Sequence, residues 1–169
     1  MTRLALITIN HHHGDMLKKM TESLLVFGSK QSFDLFVINN LKDQGTKNWL
    51  EGAVPGVRVV DNAKPQGFSS NINHIIQQQP DYDFYLLLNP DVICLPGMID
   101  SLLDLMEADP QVGVAGPQLM DMDGTVQPSR RRFATFPVLM MRALHLDSLF
   151  SRLSAVDQYL MAGEAFKEV

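Results

Sequence analysis

The sequence predicts an α/β fold built on a doubly wound, mostly parallel sheet. Three observations predict it. Short β-rich apolar runs alternate with stretches whose apolar residues recur at helical spacing. The runs are apolar on both faces, as in strands covered from both sides. The resulting β-α-β-α order selects a parallel sheet with right-handed crossovers.

"RLALITIN" is the first strand. Asp15 is placed to cap a helix in which Leu17, Met20, Leu24 and Phe27 share a face, and Gly28 stops it. "DLFVIN" is the second strand, and Thr46 opens a short helix through Trp49 and Leu50. "VRVVDN" is the third, and Ser69 or Ser70 caps a helix carrying Ile72, Ile75 and Ile76. "DFYLLLN" is the fourth; Pro96, at a first helical position, begins a helix with Ile99, Leu102, Leu103 and Met106. "VGVAGP" reads as a fifth strand. After Pro117 the pattern changes. Asp123-Gly124 lies between short β-compatible runs, a hairpin pattern. A helix is expected from Pro137, with Met140, Met141, Leu144, Leu149 and Leu153 apolar.

Composition bounds the function. A chain of 169 residues is long enough for one domain with a real core. It is 46% hydrophobic and 20% charged, as ordinary soluble proteins are. No apolar run approaches the roughly 18 residues that span a bilayer. "MTRLALITIN" reads as a strand rather than a signal peptide, its apolar run being too short and no small-residue cleavage site following. One cysteine, Cys94, excludes an internal disulfide and a cysteine-based zinc site, and it reads as a small buried apolar residue. A cytoplasmic protein is the expectation. The net charge of −5 argues against nucleic-acid binding, although Arg130, Arg131 and Arg132 stand together.

In an open parallel sheet, ligands bind outside the carboxyl ends of the strands. Here those ends are Asn10-His11-His12, Asn39-Asn40, Asn62 followed by "KPQGFSSN", and Asn89-Pro90-Asp91. Four of the five predicted strands deliver polar loops to one edge. In "LLLNPDV", Asp91 is a hard carboxylate of the sort Mg²⁺ or Mn²⁺ takes; the same triplet also reads as an Asx-Pro turn closing a strand. "KPQGFSSNIN" sets a helix start where backbone N–H groups could meet an anion or sugar hydroxyls, and it equally suits a plain loop-to-helix junction. "SRRRF" is either a phosphate grip or a solvated charge run. No GK[ST], GxGxxG, GxSxG or HExxH occurs.

Taken as an ordered set, "ITINHHHGDMLKKMTESL", "VINNLKDQGT", "NAKPQGFSSNIN" and the segment from "YLLLNPDV" through "PQLMDMDGTVQPSRRRFATFP" resemble family 2 glycosyltransferases, most closely the bacterial rhamnosyltransferase-like enzymes of surface-glycan synthesis. The resemblance covers about residues 3 to 137. It implies a nucleotide-diphospho-sugar-binding domain over 1–137 in the A-type fold, with a helical segment at 138–169 that starts an acceptor region. It also implies a divalent metal, Mg²⁺ or Mn²⁺, and inversion at the sugar carbon. Carried over residue by residue, it puts Thr8, Asn10 and His12 on the first nucleotide loop, where the family usually reads N-Y-N. Asn39 falls at the base-reading position, commonly Asp, and Asn40 follows it. Gly67, Phe68 and Asn73 match the G-F loop and its later Asn. Asn89 and Asp91 match the two ends of the D-x-D motif, with Asp91 the metal ligand. Arg131, with Arg130 and Arg132, falls near diphosphate or acceptor.

The sequence departs from the family at Asn39, at His11 and His12, and at Ile72, where another Asn is frequent. The chain reaches Val169 without the E-D pair that would hold the catalytic base, so a truncated acceptor and base portion is the expectation; Glu164 is the nearest acidic residue. Two functions follow. One is a transferase moving a sugar such as rhamnose from a nucleotide-diphospho-sugar to a glycan or lipid-linked acceptor, with peripheral membrane contact and a homodimer as possible associations. The other is a nucleotide-sugar-binding module without turnover. A nucleotidyltransferase would want a Gly- and basic-rich loop after the first strand, and "HHHGD" is not one. Those three histidines cannot all face one ion, because successive residues of an extended segment alternate sides. The expectation is that His12 faces the donor while His11 or His13 packs or meets solvent.

Overall fold

The computed structural model of the chain describes residues 2–127, 129, 131–144, 159 and 161. Among these, a four-stranded sheet has the order β3-β2-β1-β4. Its strands are β1 (Leu4–Asn10), β2 (Phe33–Asn39), β3 (Arg58–Asp61) and β4 (Phe84–Leu87). All three pairings are parallel, with Asn10 opposite Asn39 and Asn39 opposite Asp61. The chain winds outward from β1 through β2 to β3, then crosses back to lay β4 on the other side of β1. The point of reversal lies between β1 and β4.

The helices are α1 (Gly14–Phe27), α2 (Gln44–Ala53), α3 (Phe68–Gln78), α4 (Met98–Ala108) and α5 (Phe136–Ala143). Strand alternation sorts the core into two layers. Leu4 and Leu6 of β1 pack with Leu17, Met20 and Leu24 of α1, Leu50 of α2, and Ile99 and Leu103 of α4. Ala5, Ile7 and Ile9 of the same strand pack with Ile72 and Ile75 of α3 and with Tyr82. The sheet is therefore covered on both faces, which is why β1 reads as an unbroken apolar run. Each fully buried Leu or Met of α1 contributes about 2 kcal/mol of transfer free energy.

Several local expectations are corrected. Asp15 does not cap α1; it lies in the first turn, and His13 is the capping position without a side-chain bond. Gly14 is needed there because a Cβ would lie 2.4 Å from Thr46 Oγ1, where α1 meets the start of α2. Helix α2 begins at Gln44 rather than Thr46, since Asp43 supplies the cap: Thr46 N donates to its Oδ1 at 3.1 Å and Thr46 Oγ1 to its Oδ2 at 2.6 Å. Gly67, not Ser69 or Ser70, is the capping position of α3. Pro96 stands outside α4, whose N-terminus is turned by Gly97 at φ +77°. "VGVAGP" forms no strand. Val114 is 91% exposed there, so the run buries nothing, and Gly113, Gly116 and Pro117 give a ladder little to hold.

The chain forms two compact units, Met1–Pro110 and Gln111–Val169, where the sequence suggested a division after residue 137. The second unit contains a turn in which Met120 bridges Val126, Gly124 adopts φ +85°, and Asp121 N donates to Thr125 O at 2.7 Å. Helix α5 begins at Phe136 beside the expected Pro137; Leu149, Leu153, Arg130 and Glu164 lie outside the described residues. Among the described residues, no helix is long and apolar enough to cross a membrane.

Candidate active site

The polar strand ends divide between the two faces of the sheet. On the face of α1 and α2, Asn10 and Asn39 are both buried and lie side by side, Asn10 Nδ2 donating to Asn39 Oδ1 at 3.4 Å. Asn39 Oδ1 also accepts from Asp43 N at 3.0 Å. Its Nδ2 donates to Asp43 O at 3.2 Å and to Asp61 Oδ1 at 2.8 Å. Lys47 Nζ donates to the other Asp61 oxygen at 2.6 Å. Every hydrogen-bonding position of the Asn39 amide is thus taken. The Lys47 bond holds the Asp61 carboxyl below the usual carboxylate range against the opposing effect of desolvation, and the Asn39 amide adds a smaller lowering. The Thr46 hydroxyl and backbone N–H do the same for Asp43.

On the α3 face the ends stay open. A cavity of about 460 Å³ sits at the carboxyl ends of β1 and β4, where the winding reverses. This is the place an open parallel sheet reserves for ligands, and the volume suits a small-molecule site. Ile9, His11 and His13 line it from the β1 end; Gln66, Phe68 and Asn71 line it from the start of α3. Asn40, Met16 of α1 and the segment from Leu88 to Asp91 complete the wall. Beneath this wall, Asn40, Asn62 and Asn71 form a buried amide chain: Asn62 Nδ2 donates to Asn40 Oδ1 at 2.7 Å and to Asn71 Oδ1 at 2.6 Å.

The expected residues distribute unevenly. Asn40, Phe68, Asn89 and Asp91 line the cavity, with Asn89 and Asp91 exposed. Asn39 does not, because it follows the parity of Leu35 and Val37 onto the opposite face. Thr8 is fully buried on that same face, and its Oγ1 has no hydrogen-bond partner among the described residues. Asn10 is buried too, and its Oδ1 accepts from His13 N at 3.1 Å, fixing the turn after β1. His12 is exposed at φ +63° and is absent from the cavity wall, which takes His11 and His13 instead. Gly67 has open space around it and sets only the start of α3. Asn73 is exposed; it is two residues, about 200°, around α3 from Asn71, which faces inward with Ile72 and Ile75. Arg131 is exposed in the second unit. Helical periodicity was the signal that could have chosen Asn71 over Asn73; no sequence signal separates His11 from His12.

Two residues of the cavity wall are the ones that could hold a divalent ion. Asp91 offers an exposed carboxylate and Asn89 an amide oxygen, both hard donors. Among the described residues, no group of three His, Cys, Asp or Glu side chains could enclose an ion. That donor set suits a cation shared with ligand phosphates, the usual habit of Mg²⁺, rather than an all-protein cage.

An open parallel sheet with a polar cavity at its switch point is the architecture in which α/β proteins place a ligand site. The chain belongs to glycosyl transferase family 2, whose model matches residues 5–159. It is 27% identical over 152 residues to the N-acetylglucosaminyl-diphospho-decaprenol L-rhamnosyltransferase of Mycobacterium tuberculosis, in two strains. The match covers 84% of this chain and 48% of that enzyme, so the chain spans about half the length of the curated relatives it matches. Among solved structures it is similar to the mannosyltransferase PcManGT of Pyrobaculum calidifontis in complex with GDP-Man and Mn²⁺, at TM-score 0.57 and 14% identity, covering 66% of this chain and 34% of that one. It is also similar to S. aureus TarS 1-349, at TM-score 0.55 and 14% identity, covering 70% and 39%. Both likenesses bear on the fold.

Proposed function

We propose that this chain is the donor-binding portion of a glycosyltransferase that uses a nucleotide-diphospho-sugar, with rhamnose as the sugar and a lipid-linked glycan as the acceptor. The observation that carries the reading is the cavity at the β1/β4 reversal, walled by Asn40, Asn71, Asn89 and Asp91, in a chain of this family. The rhamnosyltransferase relative supports the sugar and the lipid-linked acceptor. A lipid-linked acceptor implies a cytoplasmic chain working at the membrane face.

Asp91, assisted by Asn89, would hold the divalent cation. Bound there, it would neutralise charge on the departing diphosphate. The residues around it have separate work. The apolar wall of Ile9, Phe68 and Leu88 gives a flat ring or sugar something to pack against, while the amides of Asn40 and Asn71 shape the polar side. Inversion needs a general base for the acceptor hydroxyl. Asp91 is the one carboxylate among the described cavity-lining residues, so the base would come from elsewhere. This favours a second reading, in which the chain by itself binds the donor without turning it over.

Calorimetric titration of dTDP-, UDP- and GDP-sugars with and without Mn²⁺ tests both, followed by an assay for nucleoside diphosphate release with a lipid-linked acceptor. Metal-dependent binding lost in Asp91→Ala supports donor binding; release distinguishes transferase from module. No binding of any sugar nucleotide would end both readings.

A further inference from the structure

The geometry points to His11 as a hydrogen-bond donor of the cavity, held in one tautomer by Asn40 and selecting for an acceptor oxygen on the bound ligand. The inference rests on the reading of the cavity as a nucleotide site only for what that oxygen belongs to. His11 lines the cavity, and its Nδ1 lies 2.8 Å from Asn40 Nδ2. Which of these two nitrogens donates depends on which way the Asn40 amide is turned. A single backbone unit settles that. Gln66 N donates to Asn40 Oδ1 at 2.9 Å, and Asn40 Nδ2 donates to Gln66 O at 3.0 Å. Turning the amide over would set N–H against N–H and oxygen against oxygen, and backbone groups cannot exchange roles. The neighbours agree with this orientation. Asn62 Nδ2 donates to Asn40 Oδ1 at 2.7 Å, and Asn71 Nδ2 donates to Gln66 O at 3.2 Å.

Asn40 therefore presents N–H to the ring, and His11 Nδ1 must accept. The neutral imidazole then carries its proton on Nε2, its one remaining donor. A ligand that places a phosphate or base-carbonyl oxygen at that N–H gains a hydrogen bond. One that places another donor there does not. Neither the sequence pattern nor the family assigns this job; His11 stands where the family usually has Tyr, and Asn40 is the residue that positions it.

Two measurements test the proposal separately. In the ligand-free chain, two-bond ¹⁵N correlation spectra of His11, above the pH range of histidine titration, should give the Nε2–H pattern, and Asn40→Asp should move the proton to Nδ1. A wild-type ring protonated on Nδ1, or a ring unmoved by Asn40→Asp, overturns the tautomer lock, whatever the ligand. Binding is then read with UDP, uridine and inorganic diphosphate. His11→Phe, which keeps a ring and removes the donor, should weaken UDP about tenfold, and His11→Gln, which restores an N–H, should recover most of that loss. Equal UDP affinity in His11→Phe and wild type overturns the donor role. A loss confined to inorganic diphosphate and UDP assigns the oxygen to phosphate, and one confined to uridine and UDP assigns it to the base. If the wild type binds none of the three while the spectra show the Nε2–H form, the nucleotide reading fails and the lock stands.

Discussion

Asn39 and Asn40 are consecutive, chemically identical and both buried, yet they belong to different regions. Asn39 sits in a closed network with Asn10, Asp43 and Asp61, where each of its hydrogen-bonding positions is already used. Asn40 is also fully bonded, to Gln66, Asn62 and His11, but it joins the wall of an open cavity with His11 and Asp91. The difference follows from the strand, which sends successive side chains to opposite faces. One face of the sheet's carboxyl edge is closed by side-chain bonds, and the other opens into a cavity. Asn where the family commonly has Asp also makes physical sense in this setting. Asn39 Nδ2 donates to the Asp61 carboxylate at 2.8 Å; a carboxylate at position 39 would face another carboxylate.

The comparison can be broken most forcefully at Asn39. Asn39→Asp should cost about 3 kcal/mol of stability at neutral pH, because two buried donor bonds become repulsive contacts. The new carboxyl would have a raised pKa, so the deficit should shrink as pH falls and it protonates. Urea unfolding at neutral and mildly acidic pH checks this; an undamaged, pH-insensitive variant would mean that the network is not closed. Asp91→Ala acts on the open side. It should lower metal-dependent nucleotide affinity by tenfold or more, in the range of lost metal-site interactions, while leaving the unfolding midpoint close to wild type.

Smaller effects sharpen the same contrast. Asp43→Ala removes the cap of α2 and should cost about 1 kcal/mol. Asp43 and Asp61 titrate below the usual carboxylate range in the folded chain. The stability they contribute is present above their unfolded values and is lost as pH falls through the folded ones. The variant's acid-unfolding curve should therefore be shallower than the wild type's between pH 5 and the folded values of these groups. Thr8→Val is the mildest change. It replaces a buried hydroxyl that has no partner among the described residues by a methyl group and should stabilise by about 1 kcal/mol or less without altering nucleotide binding. A loss of binding there would return Thr8 to the site.

The sheet was legible because β1 and β2 are continuous apolar runs and the helices between them carry clear stripes. The convergence of polar ends on one edge was legible too. What sequence could not resolve was the face each residue takes after its strand ends. At His12 a left-handed backbone, φ +63°, breaks the alternation that the expectation relied on. At Asn73 the motif fixed the segment but helix phase chose Asn71. "VGVAGP" had strand composition but gives up its burial, a tertiary fact that a six-residue window does not contain. Cys94 behaves as read, buried with its thiol pushed up by desolvation.

The central claim is that the α3 face of the carboxyl edge binds the nucleotide and the α1/α2 face does not. Amide chemical-shift mapping with UDP and Mg²⁺ tests it most directly. The account predicts shifts concentrated on His11, His13, Asn40, Gln66, Asn71, Asn89 and Asp91, with Asp43, Thr46, Lys47 and Asp61 nearly still. Shifts centred on Asn39, Asp43 and Asp61 would contradict it.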